Sequence, residues 1–99
     1  MDIKTFDGVE SMESWAKENP DEVSRRMVEA WREVIEDGKK TEIVFRCKQK
    51  QLSEPIEVVV ESGFEGEALS TLLEEAIERE DYELAQEIQS LQEKVKSDS

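Results

Sequence analysis

The sequence predicts an α+β domain of order α-α-β-β-α-α: a small antiparallel hairpin sheet packed by helices, followed by a C-terminal helical hairpin. Three observations carry this reading. Residues 19–38 hold an amphipathic helical period between Asn19-Pro20 and Gly38, residues 41–61 switch to period two, and residues 67–96 carry two apolar stripes that are out of phase. With residues 1–18 as an N-terminal segment and short helix, the 99 residues read as a single domain. A chain of that length buries roughly 60% or more of its unfolded surface in one modest core.

The first residues are too short to assign, although Ile3 and Thr5 suit an edge strand anchored by Phe6. Asp7-Gly8-Val9-Glu10 reads as a capping box, with Asp7 and Glu10 each satisfying an orphan N–H. A short helix to about Lys17 then buries Val9, Met12 and Trp15. Asn19-Pro20-Asp21-Glu22 is a stronger start: Asn caps, Pro fits the first helical position, and the acids favour the positive end of the dipole. The helix runs to Asp37 and stops at a left-handed Gly38, burying Val23, Met27, Trp31, Val34 and Ile35. Its wet face carries Arg25, Arg26, Glu29, Arg32, Glu33 and Glu36.

Alternation in residues 41–48 points Ile43, Phe45 and Cys47 inward, and in residues 54–61 it points Ile56, Val58 and Val60 inward. Val44 and Val59 fall on the opposite face, and Pro55 suits the start of an edge strand. Residues 62–66 form a turn, with Phe64 tucked against the core.

Leu69, Leu72, Leu73, Ala76 and Ile77 form one helical stripe, and Tyr82, Ala85, Ile88, Leu91 and Val95 form another. The phase break near residues 79–82 reads as a tight joint between two helices, with Asp81 capping the second. One long helix with a drifting seam is the competing reading, since no Gly or Pro marks the break. From Lys94 onward the chain is expected to fray.

Within residues 69–91, the segment AIEREDYELAQEI at 76–88 resembles the UVR helical hairpin of the bacterial excision-repair proteins UvrB and UvrC. Tyr82-Glu83-Leu84-Ala85 matches the aromatic-Glu-x-Ala opening of that family's second helix, and Ile88 matches the next apolar position. The family continues with a second Ala and an Arg-Asp pair, where this chain has Gln86, Gln89 and Ser90. The resemblance implies a helical hairpin that docks another protein. It does not imply a role in DNA repair.

Charge is the other strong signal. Charged residues make up 39% and apolar ones 36%, with two Trp and three Phe, a globular composition of net charge −13. Residues 51–93 hold thirteen acidic side chains against Arg79 alone, a net of −12. Lys39, Lys40, Arg46, Lys48 and Lys50 form a smaller basic run against Glu42. Its simplest explanation is cross-strand pairing, Arg46 and Lys48 opposite Glu57 and Glu54, rather than a nucleic-acid contact that would need exposed aromatics. Such a field repels nucleic acid and anionic membranes and attracts basic partners.

With no histidine and one cysteine, histidine-dependent catalysis and zinc sites are excluded, and no glycine-rich phosphate loop exists. Cys47 reads as a buried structural thiol, and the acidic runs as solvated helix faces without calcium-loop spacing. Catalytic residues, metals and cofactors are therefore expected to be none. No apolar run suits a signal peptide or a membrane span, so the chain reads as cytoplasmic.

Two function classes follow. In the first, the chain is a non-catalytic interaction module whose C-terminal hairpin docks a protein with a basic surface, or a second copy, through Tyr82, Ile88 and Leu91. In the second, it is an acidic mimic of nucleic acid, of the kind that phages and mobile elements use to inhibit DNA- or RNA-binding enzymes. There Glu57, Glu61, Glu74, Glu75, Glu78, Asp81, Glu83 and Glu87 would stand in for phosphates.

Overall fold

A computed structural model describes residues 3–49, 51 and 53–97. Lys50 of the basic run, Leu52 of the linker and residues 98–99 of the terminal segment lie outside them. The elements are β1 (Lys4–Phe6), α1 (Val9–Glu18), α2 (Pro20–Asp37), β2 (Thr41–Cys47), β3 (Ile56–Glu61), α3 (Glu65–Glu78) and α4 (Tyr82–Ser97). The fold is α+β, and the expected order changes at its start, because the N-terminal residues add a strand. The sheet runs β1-β2-β3, with β1 parallel to β2 and β2 antiparallel to β3, so it is mixed rather than a hairpin alone. Phe6 anchors β1 at the bottom of the core, 8% exposed.

The strand faces depart from strict alternation at one point. The register passes from Ile43↔Val59 to Phe45↔Val58, so Val44 is an extra residue in β2. Such a bulge lets two successive residues face the same way. Val44 and Phe45 are accordingly both buried, while Ile43, paired with the exposed Val59, turns to the outer face. The expected inward set Ile43, Phe45, Cys47 is therefore corrected to Val44, Phe45, Cys47. On β3 the inner face holds Val60, buried, Val58, half-buried, and Ile56, exposed at the strand end.

The expected helix caps also shift. The N-cap of α1 is Gly8, one residue later than Asp7, which puts Asp7 outside the helix and Glu10 too early to reach back; no side chain caps this end. Asn19 does precede Pro20 at the start of α2, but its Nδ2 donates backwards to the Trp15 carbonyl at 2.9 Å, so its side chain closes α1 rather than opening α2. Gly38 is left-handed, with φ 69°. The buried side of α2 is wider than the sequence stripe: Ser24, Val28, Ala30, Trp31 and Val34 are fully buried, and Val23, Met27 and Ile35 pack at its edges. The breadth arises because α2 touches the sheet on one side and both α3 and α4 on the other.

The joint between α3 and α4 follows Schellman geometry. The Asp81 N–H donates to the Ala76 carbonyl at 2.8 Å, and the Glu80 N–H to that of Ile77 at 3.0 Å. Glu80 occupies the left-handed position at φ 60°, where glycine is the usual residue. Asp81 then opens α4, its Oδ1 accepting the Leu84 N–H at 3.3 Å. Helices α3 and α4 pack on each other, an arrangement consistent with a helical hairpin. The core between them and α2 is Leu69, Leu72, Ala76, Leu84, Ala85, Ile88 and Leu91.

Two stripe residues fall outside that core. Ile77, about 100° round the helix from Ala76, is 49% exposed, and Tyr82, opening α4 on the side away from Leu84, is 61% exposed. Phe64, expected in the core, is 59% exposed. It precedes the first turn of α3 and lies outside the Leu69-Leu72-Ala76 stripe. The segment from Lys94 stays helical to Ser97, held by Val95 against the core.

Candidate docking site

On the inner side of the sheet, α1 and α3 stand apart and leave an apolar groove of about 550 Å³. Three levels of structure build it. Helical spacing puts Met12 and Ala16 on one wall and Ala68, Leu72 and Glu75 on the other. Val23 and Met27 of α2 lie between the walls, and Phe45 and Val58 supply the sheet side, Phe45 being turned inward beyond the bulge. Phe45 is itself locked in a cluster with Phe6 and Trp15, whose ring centroids lie 5.5 to 5.9 Å apart, and Lys4 Nζ sits 4.9 Å from the Trp15 ring centroid. The groove thus rests on a braced support. Its polar lining is Glu13, Ser24, Thr71 and Glu75, and among the described residues no Lys or Arg lines it.

One end of the groove is tied off by Arg79. Its guanidinium donates to Ser24 Oγ and lies 3.4 Å from Asp21 and 3.9 Å from Glu75. Two more ion pairs stitch α4 to α2: Arg32 to Glu87 at 3.0 Å, and Lys94 to Glu36. The Lys94 hydrogen bond holds the Glu36 carboxyl below the usual carboxylate range. At the entrance to β2, Glu42 lies 3.0 Å from Lys39 and Glu33 lies 4.0 Å away, and the hydrogen bond to Glu42 pushes the Lys39 ammonium up.

The three docking residues read from the sequence do not share a surface. Ile88 and Leu91 are 0% and 2% exposed, turned into the core by the face that also carries Leu84 and Ala85. They hold the fold and cannot touch a partner in it. Tyr82 alone is presented, at the α3–α4 joint and outside the groove. Of the groove residues, Met12, Val23, Met27, Phe45, Val58 and Leu72 were legible, and only as inward-facing members of their stripes. Met12 and Met27 on two adjacent helices were the available signal, but sequence spacing does not reveal that α1 stands apart from α3.

The acidic residues divide. Glu61, Glu74, Glu78 and Glu83 are exposed and make no ion pair among the described residues. Glu57 is bound by Arg46 at 2.9 Å, Glu75 and Glu87 are held as above, and Asp81 is spent on the α4 cap. Of the proposed strand pairs, Arg46–Glu57 is in register, whereas Lys48 lies beyond the end of β2. Cys47 is fully buried. Among the described residues, no group of His, Cys, Asp and Glu is placed to hold a metal, and no helix is long and apolar enough to cross a membrane. Comparison of the chain with family models, curated proteins and solved structures gives no match.

Proposed function

We propose that the chain is a non-catalytic protein-binding module that offers its C-terminal helical hairpin to a partner, with α3 forming one wall of the docking groove. The observation that carries this reading is the groove itself: a concave apolar surface of about 550 Å³ on a chain of which 39% of residues are charged. Exposed Tyr82 and Ile77 add separate apolar side chains near the α3–α4 joint, outside the groove. The UVR-like opening at Tyr82-Glu83-Leu84-Ala85 agrees with a docking role for this hairpin.

A second reading, the nucleic-acid mimic, draws on Glu61, Glu74, Glu78 and Glu83, whose carboxylates have no ion-pair partner among the described residues. It is the weaker of the two, because half of the carboxylates it calls on are held within the fold. The readings separate when a photo-crosslinking residue replaces Thr71, at the groove rim, or Glu83, exposed on α4, which contributes nothing to the groove lining. Docking predicts a protein adduct from Thr71 that forms equally at low and high salt. Mimicry predicts an adduct from Glu83 that disappears with salt, since its attraction is spread over many charges. Absence of an adduct from either position overturns both.

A further inference from the structure

Resting on that docking reading, we infer that the occupant of the groove is an amphipathic helix whose apolar stripe is flanked by Lys and Arg. Three features lead there. The first is the backbone. The groove opens onto the inner face of the sheet between two helices, and Phe45 and Val58 reach it through their side chains. The groove meets the sheet at the Phe45–Val58 cross-strand pair on its inner face, not along the free outer side of the edge strand β3, so an extended peptide lying across that face would find no ladder to join and would bury its own amides unpaired. A helix satisfies its backbone internally and presents only side chains.

The second is the lining. Met12 and Met27 are unbranched and adaptable, and with Ala16 and Ala68 they leave room between bulkier neighbours. Such a surface accepts side chains spaced at i, i+3 or i+4 and i+7 without demanding one shape. The third is charge. Glu13 on one wall carries a carboxylate with no ion pair among the described residues, Glu75 on the other is only loosely held by Arg79 at 3.9 Å and stays half exposed, and among the described residues no Lys or Arg lines the strip between them. Arg79 at one end is already shared between Asp21 and Glu75. A second copy of this chain carries the same net charge of −13, so self-association on this face is opposed by repulsion, whereas a cationic helix is drawn in.

The test uses the intact chain, labelled with ¹⁵N, and two synthetic probes. One is a Leu/Lys helix of about 18 residues, some five turns, with Leu at i, i+3, i+4 and i+7; the other has Glu at every Lys position. The Leu/Lys peptide is expected to shift the amides of Met12, Ala16, Met27, Val58, Leu72 and Glu75. The Leu/Glu peptide is expected to bind at least about tenfold more weakly. Replacing both rim acids, Glu13→Gln with Glu75→Gln, should weaken the Leu/Lys peptide by about threefold to tenfold. Thr71→Arg, at an exposed position that leaves the core intact, should weaken it further.

Equal binding of the two peptides in the groove overturns the cationic partner while leaving the docking module standing. Shifts confined to Glu83, Glu87 and their neighbours on α4, or no binding of either peptide, overturn the groove as a docking site and the module reading with it. Concentration-dependent dimerisation that protects Met27 assigns the groove to a second copy and overturns this inference alone.

Discussion

Glu80 shows how a single residue can carry a structural boundary that its identity does not announce. It sits at φ 60° between α3 and α4, in the left-handed region where a side chain costs on the order of 1 kcal/mol. The chain tolerates this because two Schellman hydrogen bonds and the Asp81 cap all depend on the turn made there. Glu80→Gly is therefore expected to stabilise the protein by roughly 0.5 to 1 kcal/mol, part of the relief being offset by the extra freedom of glycine in the unfolded chain. Urea denaturation of the two proteins at neutral pH decides it; an unchanged or lower midpoint for the variant would show that the Glu80 conformation is not strained. The joint was legible in the sequence from stripe phase and from Asp81. The residue that makes the turn was not, because glutamate carries no left-handed signature. Tyr82 poses the converse problem: it matches the spacing of Ala85 and Ile88 closely enough to read as a stripe member, yet the first position of a helix is free to turn outward.

Among elements, α2 and α4 are joined at two levels. Apolar contacts lie between them in the core, and Arg32–Glu87 and Lys94–Glu36 close the seam at its rim. The second pair has a signed pH dependence. Because the folded state holds Glu36 below its ordinary value, the fold binds fewer protons there than the unfolded chain does, and stability rises with pH across that interval. The contribution is present above the ordinary carboxylate pKa of about 4.5 and is lost as pH falls through the lower, folded value. Glu36→Gln should therefore be less stable than the parent at pH 6, and the two should converge toward pH 3. A gap that stays constant across this range in pH-dependent urea melts would assign the effect to packing instead. These long-range pairs were invisible in the sequence, which shows the acids and bases but not which helices lie side by side. Local marks did better: Pro20 and Gly38 bracketed α2 because each acts through its own backbone. The strand faces were half legible, since alternation assigned β3 correctly while the bulge at Val44 displaced β2 by one residue.

For the whole molecule, the sequence pattern sufficed for an α+β fold, because that follows from summed periodicities. It did not suffice for the groove, which is a gap between elements and depends on how far apart α1 and α3 come to rest. It left β1 unassigned, showing only that Ile3 and Thr5 suit an edge strand anchored by Phe6, because three residues carry too little pattern to register. That strand brings a consequence for how the molecule opens. Its partners in β2 lie far along the chain, Lys4 beside Phe45 and Phe6 beside Cys47, whereas α3 and α4 meet across a short joint. Closing a long loop for a short ladder gives little return on the entropy lost. We expect β1 to join last during folding and to detach first under native conditions. Backbone amides of β1 should then exchange with deuterium well before those of Leu69, Ile88 and Leu91, with the Phe6–Trp15–Phe45 cluster loosening in the same step. Since Phe45 also lines the groove, the short N-terminal strand would act as a latch on the support of the docking surface. Slower β1 exchange when a helix occupies the groove would show the two to be coupled.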